Sequence, residues 1–198
     1  MFTMPRALPS QVTGPVVAVL ARVGVTPNML TVAQLLGGFG AAVLIADGEL
    51  AWGGVAVLAA ALLDAFDGTL ARTTGRVTKF GGVFDSTIDR IFEGVVLGGL
   101  LWYYLGQGLR DESMLVFVTA VGSLSVSYVR ARAEVEHVQM YDGVFTRGVR
   151  IIVLAAGLVT GEVVYVLWLL AIMTVVTTLQ RLHVAWQRLS GPEAGGAP

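Results

Sequence analysis

From Asn28 to Ala46 the chain carries no charged side chain. About 20 mostly apolar residues are what a helix needs to cross the ~30 Å hydrocarbon core of a bilayer. The first such segment is 28–47, and five more follow at roughly 50–72, 80–107, 113–136, 147–161 and 163–187. Breaks reading "ADGE", "GLRDES" and "TGE" separate several of them, and the fifth, interrupted by Gly148, Gly157 and Gly161, has a short apolar run. Only 14% of the 198 residues are charged, against about 25% in a soluble domain, and mean hydropathy is +0.75. The expectation is an all-α integral membrane protein: six transmembrane helices with a short N-terminal interfacial helix, forming one membrane domain over 1–190 with a disordered tail at 191–198. The interfacial helix is assigned to GPVVAVLARVG, which is too short to span and suited to the headgroup boundary.

The text "TPN" then marks a helix start, with Thr26 as cap and Pro27 at the first helical position. Twelve of the 13 basic residues fall at the chain ends or at the 2–3 and 4–5 connections, and only Arg110 falls on the other side. Cytoplasmic loops are the basic ones, so both termini are expected in the cytoplasm of a multi-pass protein of the cell (inner or plasma) membrane. The start, MFTMPRALPSQ, lacks an apolar h-region and is read as no cleaved signal peptide. A net charge of −1 and the absence of any recognition motif argue against nucleic acid. With no cysteine, disulfides, thiolate metal sites and thiol nucleophiles are excluded.

Against this background, 64–90 concentrates charge: DAFDGTLARTTGRVTKFGGVFDSTIDR. Asp64 and Asp67 are three apart and Asp85 and Asp89 four apart, so each pair shares one helix face. The two helices are expected to be antiparallel neighbours joined by a short basic loop, with four carboxylates converging at the cytoplasmic edge of the bilayer. Ionisable groups within spans are costly and mark function. Oxygen ligands without Cys or His suit Mg²⁺ or Mn²⁺, and four carboxylates suffice for a two-metal site acting on a phosphoryl group. Gly68, Ala71 and Gly81 leave room for a ligand against the backbone, and Arg72 supplies a phosphate-binding charge at the rim. A solvated patch of Asp paired with Arg72, Arg76, Lys79 and Arg90, or an ion pathway of a transporter, are the competing explanations. Glu93, on the same face as Asp85 and Asp89, is expected to orient a ligand or pair with Arg90.

Three further arginines, Arg130, Arg150 and Arg181, lie at the cytoplasmic ends of the last three spans. They either converge on a dianionic phosphate or anchor helix ends to headgroups. Arg132 and Glu134 are read as an interhelical pair or a supporting layer. His137 and His183 are read as boundary residues, and the Trp and Tyr residues at 102–104, 165, 168 and 186 as interfacial belts.

The pattern D-x-x-D-G-x-x-A-R, eight residues, G-x-x-x-D-x-x-x-D is complete here as Asp64, Asp67, Gly68, Ala71, Arg72, Gly81, Asp85 and Asp89. It resembles the CDP-alcohol phosphotransferases, six-helix membrane enzymes that are commonly homodimers. The resemblance implies that Asp64, Asp67 and Asp85 are metal ligands, and that Asp89 binds the second of two Mg²⁺ or Mn²⁺ ions and is the general base. It also implies that Gly68, Ala71, Arg72, Thr78 and the segment Asn28, Met29, Leu30, Thr31 receive the CDP-lipid, with Asn28 alternatively a helix cap. The substrates implied are CDP-diacylglycerol and an alcohol, and CMP is the leaving group. The texts around Arg130, Arg150 and Arg181 resemble bacterial phosphatidylinositol phosphate synthases, in which these positions bind the phosphate of inositol 1-phosphate. A lysine is usual where Arg130 stands, and "FTRGVR" departs from the acidic-basic run expected before Arg150. Glycerol 3-phosphate is the rival acceptor.

Overall fold

A computed structural model describes residues 10–138, 140 and 145–190. The expected tail at 191–198 lies outside the described residues. These residues form seven helices: α1 (Ser10–Arg22), α2 (Pro27–Ala46), α3 (Leu50–Thr73), α4 (Lys79–Gly106), α5 (Arg110–Val135), α6 (Arg147–Thr160) and α7 (Val163–Leu189). All-helical architecture is what a bilayer demands of a single chain without a closed barrel, because backbone polar groups must be satisfied within each segment.

The helix boundaries follow local chemistry. Thr26 caps α2, its Oγ1 accepting from the Met29 N–H at 3.3 Å, with Pro27 in the first turn. α3 ends in a Schellman motif. Gly75 takes φ +66°, the Gly75 N–H reaches the Arg72 carbonyl, and the Arg76 N–H donates to the Ala71 carbonyl at 3.0 Å. Three residues later Thr78 caps α4, accepting from the Gly81 N–H at 2.9 Å. This short connection holds the end of α3 and the start of α4 in fixed register. Gly161, at φ +81°, closes α6.

Four helices, α2, α3, α5 and α7, are long and apolar enough to cross a membrane. Two of the six expected spans fall short of that measure. α4 is 28 residues long but carries Asp85, Asp89 and Arg90 in its first half and Glu93 at its middle, and α6 has only 14 residues, about 21 Å of helix. The exposed surface is that of a protein solvated by lipid. Phe39, Trp52, Leu62, Phe117, Trp168 and Ile172 are all at least half exposed, more contiguous apolar surface than a soluble monomer displays. Trp102, Tyr165, Trp168 and Trp186 are exposed, as an interfacial belt requires. Tyr104 corrects that expectation: it is buried in the core beside Leu100 and Leu115.

The packing departs from expectation in one respect that matters for the site. α2 packs on both α3 and α4, whereas α3 and α4 are not themselves a closely packed pair among the described residues. Loss of side chains allows the close approaches. A methyl placed on Gly99 of α4 would sit 2.5 Å from the Ala42 carbonyl oxygen of α2, and one on Gly38 would meet the Phe92 ring at 2.6 Å. α6 lies on α3 and α7, and α5 joins α7 to α4.

Candidate active site

The i, i+3 spacing on α3 and the i, i+4 spacing on α4 turn their carboxylates toward a common space beside the first two turns of α2. One carboxylate oxygen each from Asp64, Asp67 and Asp85 lie within 4.8 Å of one another. Asp67 is buried, and Asp64, Asp85 and Asp89 are half-buried. Like charges this close, out of bulk water, repel strongly, so the cluster calls for cations.

α2 braces the cluster. Thr31, itself buried, donates its hydroxyl to Asp67 Oδ2 at 2.8 Å. Gln34, fully buried one turn on, donates from Nε2 to Asp89 Oδ1 at 3.4 Å. Gln34 was missed at the sequence level, although its signal was there: a lone amide in an otherwise apolar span is a polar group that requires a partner.

The second residue missed is Arg147, at the start of α6. Sequence placed it only among the cytoplasmic arginines. Its Nη1 stands 2.8 Å from Asp89 Oδ1 and 3.2 Å from Asp64 Oδ2, and its guanidinium lies 5.6 Å from the centre of the Phe92 ring. The competing explanation, aspartates paired with Arg72, Arg76, Lys79 and Arg90, is not what the described residues show. Arg72 donates instead to Thr69 Oγ1 at 3.3 Å, and Arg90 donates to the Ser86 carbonyl.

The donor set fits hard divalent cations. Every candidate ligand is a carboxylate oxygen, and Asp85 Oδ1 is buried without a hydrogen-bond partner among the described residues. A buried carboxylate oxygen left unsatisfied costs free energy unless something absent from the protein itself meets it.

Around the cluster, a methyl on Gly68 would contact only the Arg72 guanidinium, at 3.4 Å, so this face of α3 is open except for that flexible charge. Ala71 continues the low wall one turn on. Thr78 has its oxygen engaged as the α4 cap, and Asn28 is exposed near Gly81, 3.9 Å from where a methyl on that glycine would lie. Thr26, not Asn28, caps α2. Met29 is 57% exposed, while Leu30 packs with Val17 and Leu70 in a small cluster beneath the site.

The three arginines of the last helices have distinct surroundings. Arg150 is buried and forks onto Glu93, with Nε–Oε1 and Nη2–Oε2 both at 2.8 Å, while Nη1 donates to the Phe145 carbonyl at 3.3 Å. Glu93 therefore pairs with Arg150, not with Arg90, whose guanidinium turns to the Ser86 carbonyl. Arg181, also buried, donates from Nη1 to the Val126 carbonyl of α5 at 2.6 Å. Arg130 is half-buried and pairs with Glu134 at 2.8 Å within α5. The expected Arg132–Glu134 pair is corrected too: Arg132 pairs with Glu136 at 2.7 Å. Both pairs have i, i+4 spacing, the one a helix brings together without help. His137 and His183 are exposed. His137 closes α5 at φ 58°, and His183 Nε2 lies 2.9 Å from Gln187 Nε2.

Comparison with known proteins gives the same site a wider setting. The sequence pattern of the CDP-alcohol phosphatidyltransferases matches residues 24–180. A phosphatidylinositol phosphate synthase of Mycobacterium marinum is 35% identical over 195 residues, covering 92% of this chain and 83% of that one. The crystal structure of the Mycobacterium tuberculosis phosphatidylinositol phosphate synthase with CDP-DAG bound superposes with a TM-score of 0.85 at 32% identity, covering 95% of this chain and 98% of that one. The same protein in complex with manganese and citrate gives a TM-score of 0.83 at 32% identity over 94% and 93% of the two chains.

Proposed function

The chain belongs to the CDP-alcohol phosphatidyltransferase family, and from that premise we propose that it moves the phosphatidyl group of CDP-diacylglycerol to inositol 1-phosphate, yielding phosphatidylinositol phosphate and CMP. The observation that carries this reading is the convergence of the Asp64, Asp67 and Asp85 oxygens within 4.8 Å, with Asp89 tied to Asp64 through Arg147.

Asp64, Asp67 and Asp85 would hold one divalent cation, and Asp89 would complete the place of a second. When bound, two Mg²⁺ or Mn²⁺ ions supply neutralisation of the pyrophosphate and acidify the attacking hydroxyl. The protein's own groups do the rest. Thr31 fixes Asp67, and Gln34 orients Asp89. The wall of Gly68, Ala71 and Arg72 admits the pyrophosphate, and Thr78 with the segment from Asn28 to Thr31 borders the nucleotide. The acceptor hydroxyl gives its proton to the Asp89 carboxylate while its oxygen attacks the lipid-side phosphorus. The bond from that phosphorus to the cytidylate oxygen breaks, and CMP departs with the electron pair. Positioning and electrostatics dominate such transfers.

Arg130, Arg150 and Arg181 are assigned to the acceptor phosphate. For Arg150 this means exchanging part of its Glu93 contact for the acceptor. With α4 and α6 counted as membrane helices, six spans leave both termini on one side, and the basic residues gathered there support a cytoplasmic site, within a single domain over 1–190 read as a homodimer. In α4 the charged first half would line the cytoplasmic cavity and the apolar second half would complete the crossing.

The test is a side-by-side assay of CMP release from CDP-diacylglycerol with inositol 1-phosphate, glycerol 3-phosphate and free inositol. Release with inositol 1-phosphate well above the other two bears out the acceptor. Preference for glycerol 3-phosphate would keep the reaction and overturn the acceptor.

A further inference from the structure

Arg147 Nη1 contacts one oxygen of Asp89 and one of Asp64, the two carboxylates that bracket the place of a second cation. Its other nitrogens, Nε and Nη2, are buried and have no hydrogen-bond partner among the described residues. A guanidinium offers five donor hydrogens in a planar fork, and a buried donor without a partner is costly. The arginine is therefore only partly satisfied by hydrogen bonding where it stands: Nη1 donates to Asp64 Oδ2 at 3.2 Å, and its other two nitrogens are left over. It rests on the Phe92 ring, which positions it without consuming a donor.

Charge balance says what its other state must be. Four aspartates carry four negative charges, and two divalent cations cancel them. With both ions in place Arg147 is in surplus against the carboxylates, and the incoming pyrophosphate brings anionic oxygens that match a guanidinium fork. From this we propose that Arg147 is a built-in counter-cation that occupies the second-metal position of the metal-free protein. It yields Asp64 and Asp89 to the divalent ion and turns its free nitrogens to substrate phosphate. It sets how readily the second ion enters, and the inference rests on reading the aspartates as cation ligands.

The experiment is Mn²⁺ binding to the full-length protein in detergent without substrate, followed by electron paramagnetic resonance and by the melting temperature across a Mn²⁺ titration. In Arg147→Gln the weaker of two Mn²⁺ sites should tighten by about 10-fold or more, since no resident cation must leave. Mn²⁺ should also raise the melting temperature more than in the wild type, because the metal-free variant has lost its counter-charge. Arg147→Lys, which keeps the charge, should stay close to wild-type affinity. An Arg147→Gln protein whose Mn²⁺ affinity is unchanged or weaker would overturn the proposal, as would one that is unfolded both with and without Mn²⁺. Folding only in the presence of Mn²⁺ would bear it out. The two failures separate cleanly. Wild-type protein that binds Mn²⁺ and releases CMP, beside a variant of unaltered affinity, refutes the role of Arg147 alone. Wild-type and variant proteins that both fail to bind Mn²⁺ refute the metal site as well.

Discussion

Thr31 shows how much one hydroxyl can decide. Buried between α2 and α3, it donates 2.8 Å to Asp67 Oδ2, fixing which carboxylate oxygen faces the other aspartates. Thr31→Val keeps shape and volume and removes the donor. Groups that orient a metal ligand typically cost 10- to 100-fold in metal affinity when lost. A drop of about that size in Mn²⁺ affinity, read by titration, is the expected outcome, with the fold retained. Glu93 acts on stability instead. Glu93→Leu leaves the Arg150 guanidinium buried and uncompensated, a loss of about 3–5 kcal/mol in comparable pairs. Thermal unfolding should show a large fall, and adding Arg150→Met should restore most of it, because an apolar pair replaces a broken ionic one. The aspartates were legible in sequence because i, i+3 and i, i+4 spacings fix a helix face without any tertiary knowledge. The partners of Arg147 and Arg150 were not, since only the tertiary placement of the start of α6 beside both α3 and α4 decides which carboxylate each one meets.

At the scale of elements, helix boundaries could be read to within a few residues because caps and breaks are local. Thr26 and Pro27 start α2, and Gly161 ends α6. What sequence could not supply was adjacency. α3 and α4 were expected to touch because five residues join them, yet α2 packs on both and contributes Thr31 and Gln34 to the cluster. The reason lies in glycine spacing that has no meaning until the helices are docked. Gly98 and Gly99 are neighbours in sequence with opposite surroundings. A methyl on Gly99 would strike the Ala42 backbone, whereas one on Gly98 meets nothing within 4 Å. Gly99→Ala should therefore separate α2 from α4, costing about 1–3 kcal/mol as overpacking does and reducing metal affinity through displaced Thr31 and Gln34. Gly98→Ala should be neutral or slightly stabilising. Melting temperatures of the two variants side by side check this.

For the whole molecule, the bilayer explains what would otherwise be an inverted distribution of residues, with large apolar side chains outside and Asp67, Glu93, Arg150 and Arg181 inside. That much was legible from hydropathy. The six-span count was less so, since α4 gives its first half to charge and α6 is short. The absence of cysteine makes orientation directly measurable. A thiol introduced by Arg76→Cys should react with an impermeant reagent from the cytoplasmic side, and one introduced by Gln107→Cys from the opposite side. The reverse pattern would contradict the proposed topology.

As proposed, the aspartate cluster is a metal-dependent phosphatidyl-transfer centre. Its most direct test is CMP release from CDP-diacylglycerol and inositol 1-phosphate by the reconstituted protein, with and without Mg²⁺ or Mn²⁺, beside Asp89→Asn. Release should require the divalent ion and fall by at least about 100-fold in Asp89→Asn, the scale of a lost general base. Release that is indifferent to metal, or an Asp89→Asn enzyme as fast as the wild type, would contradict the proposal.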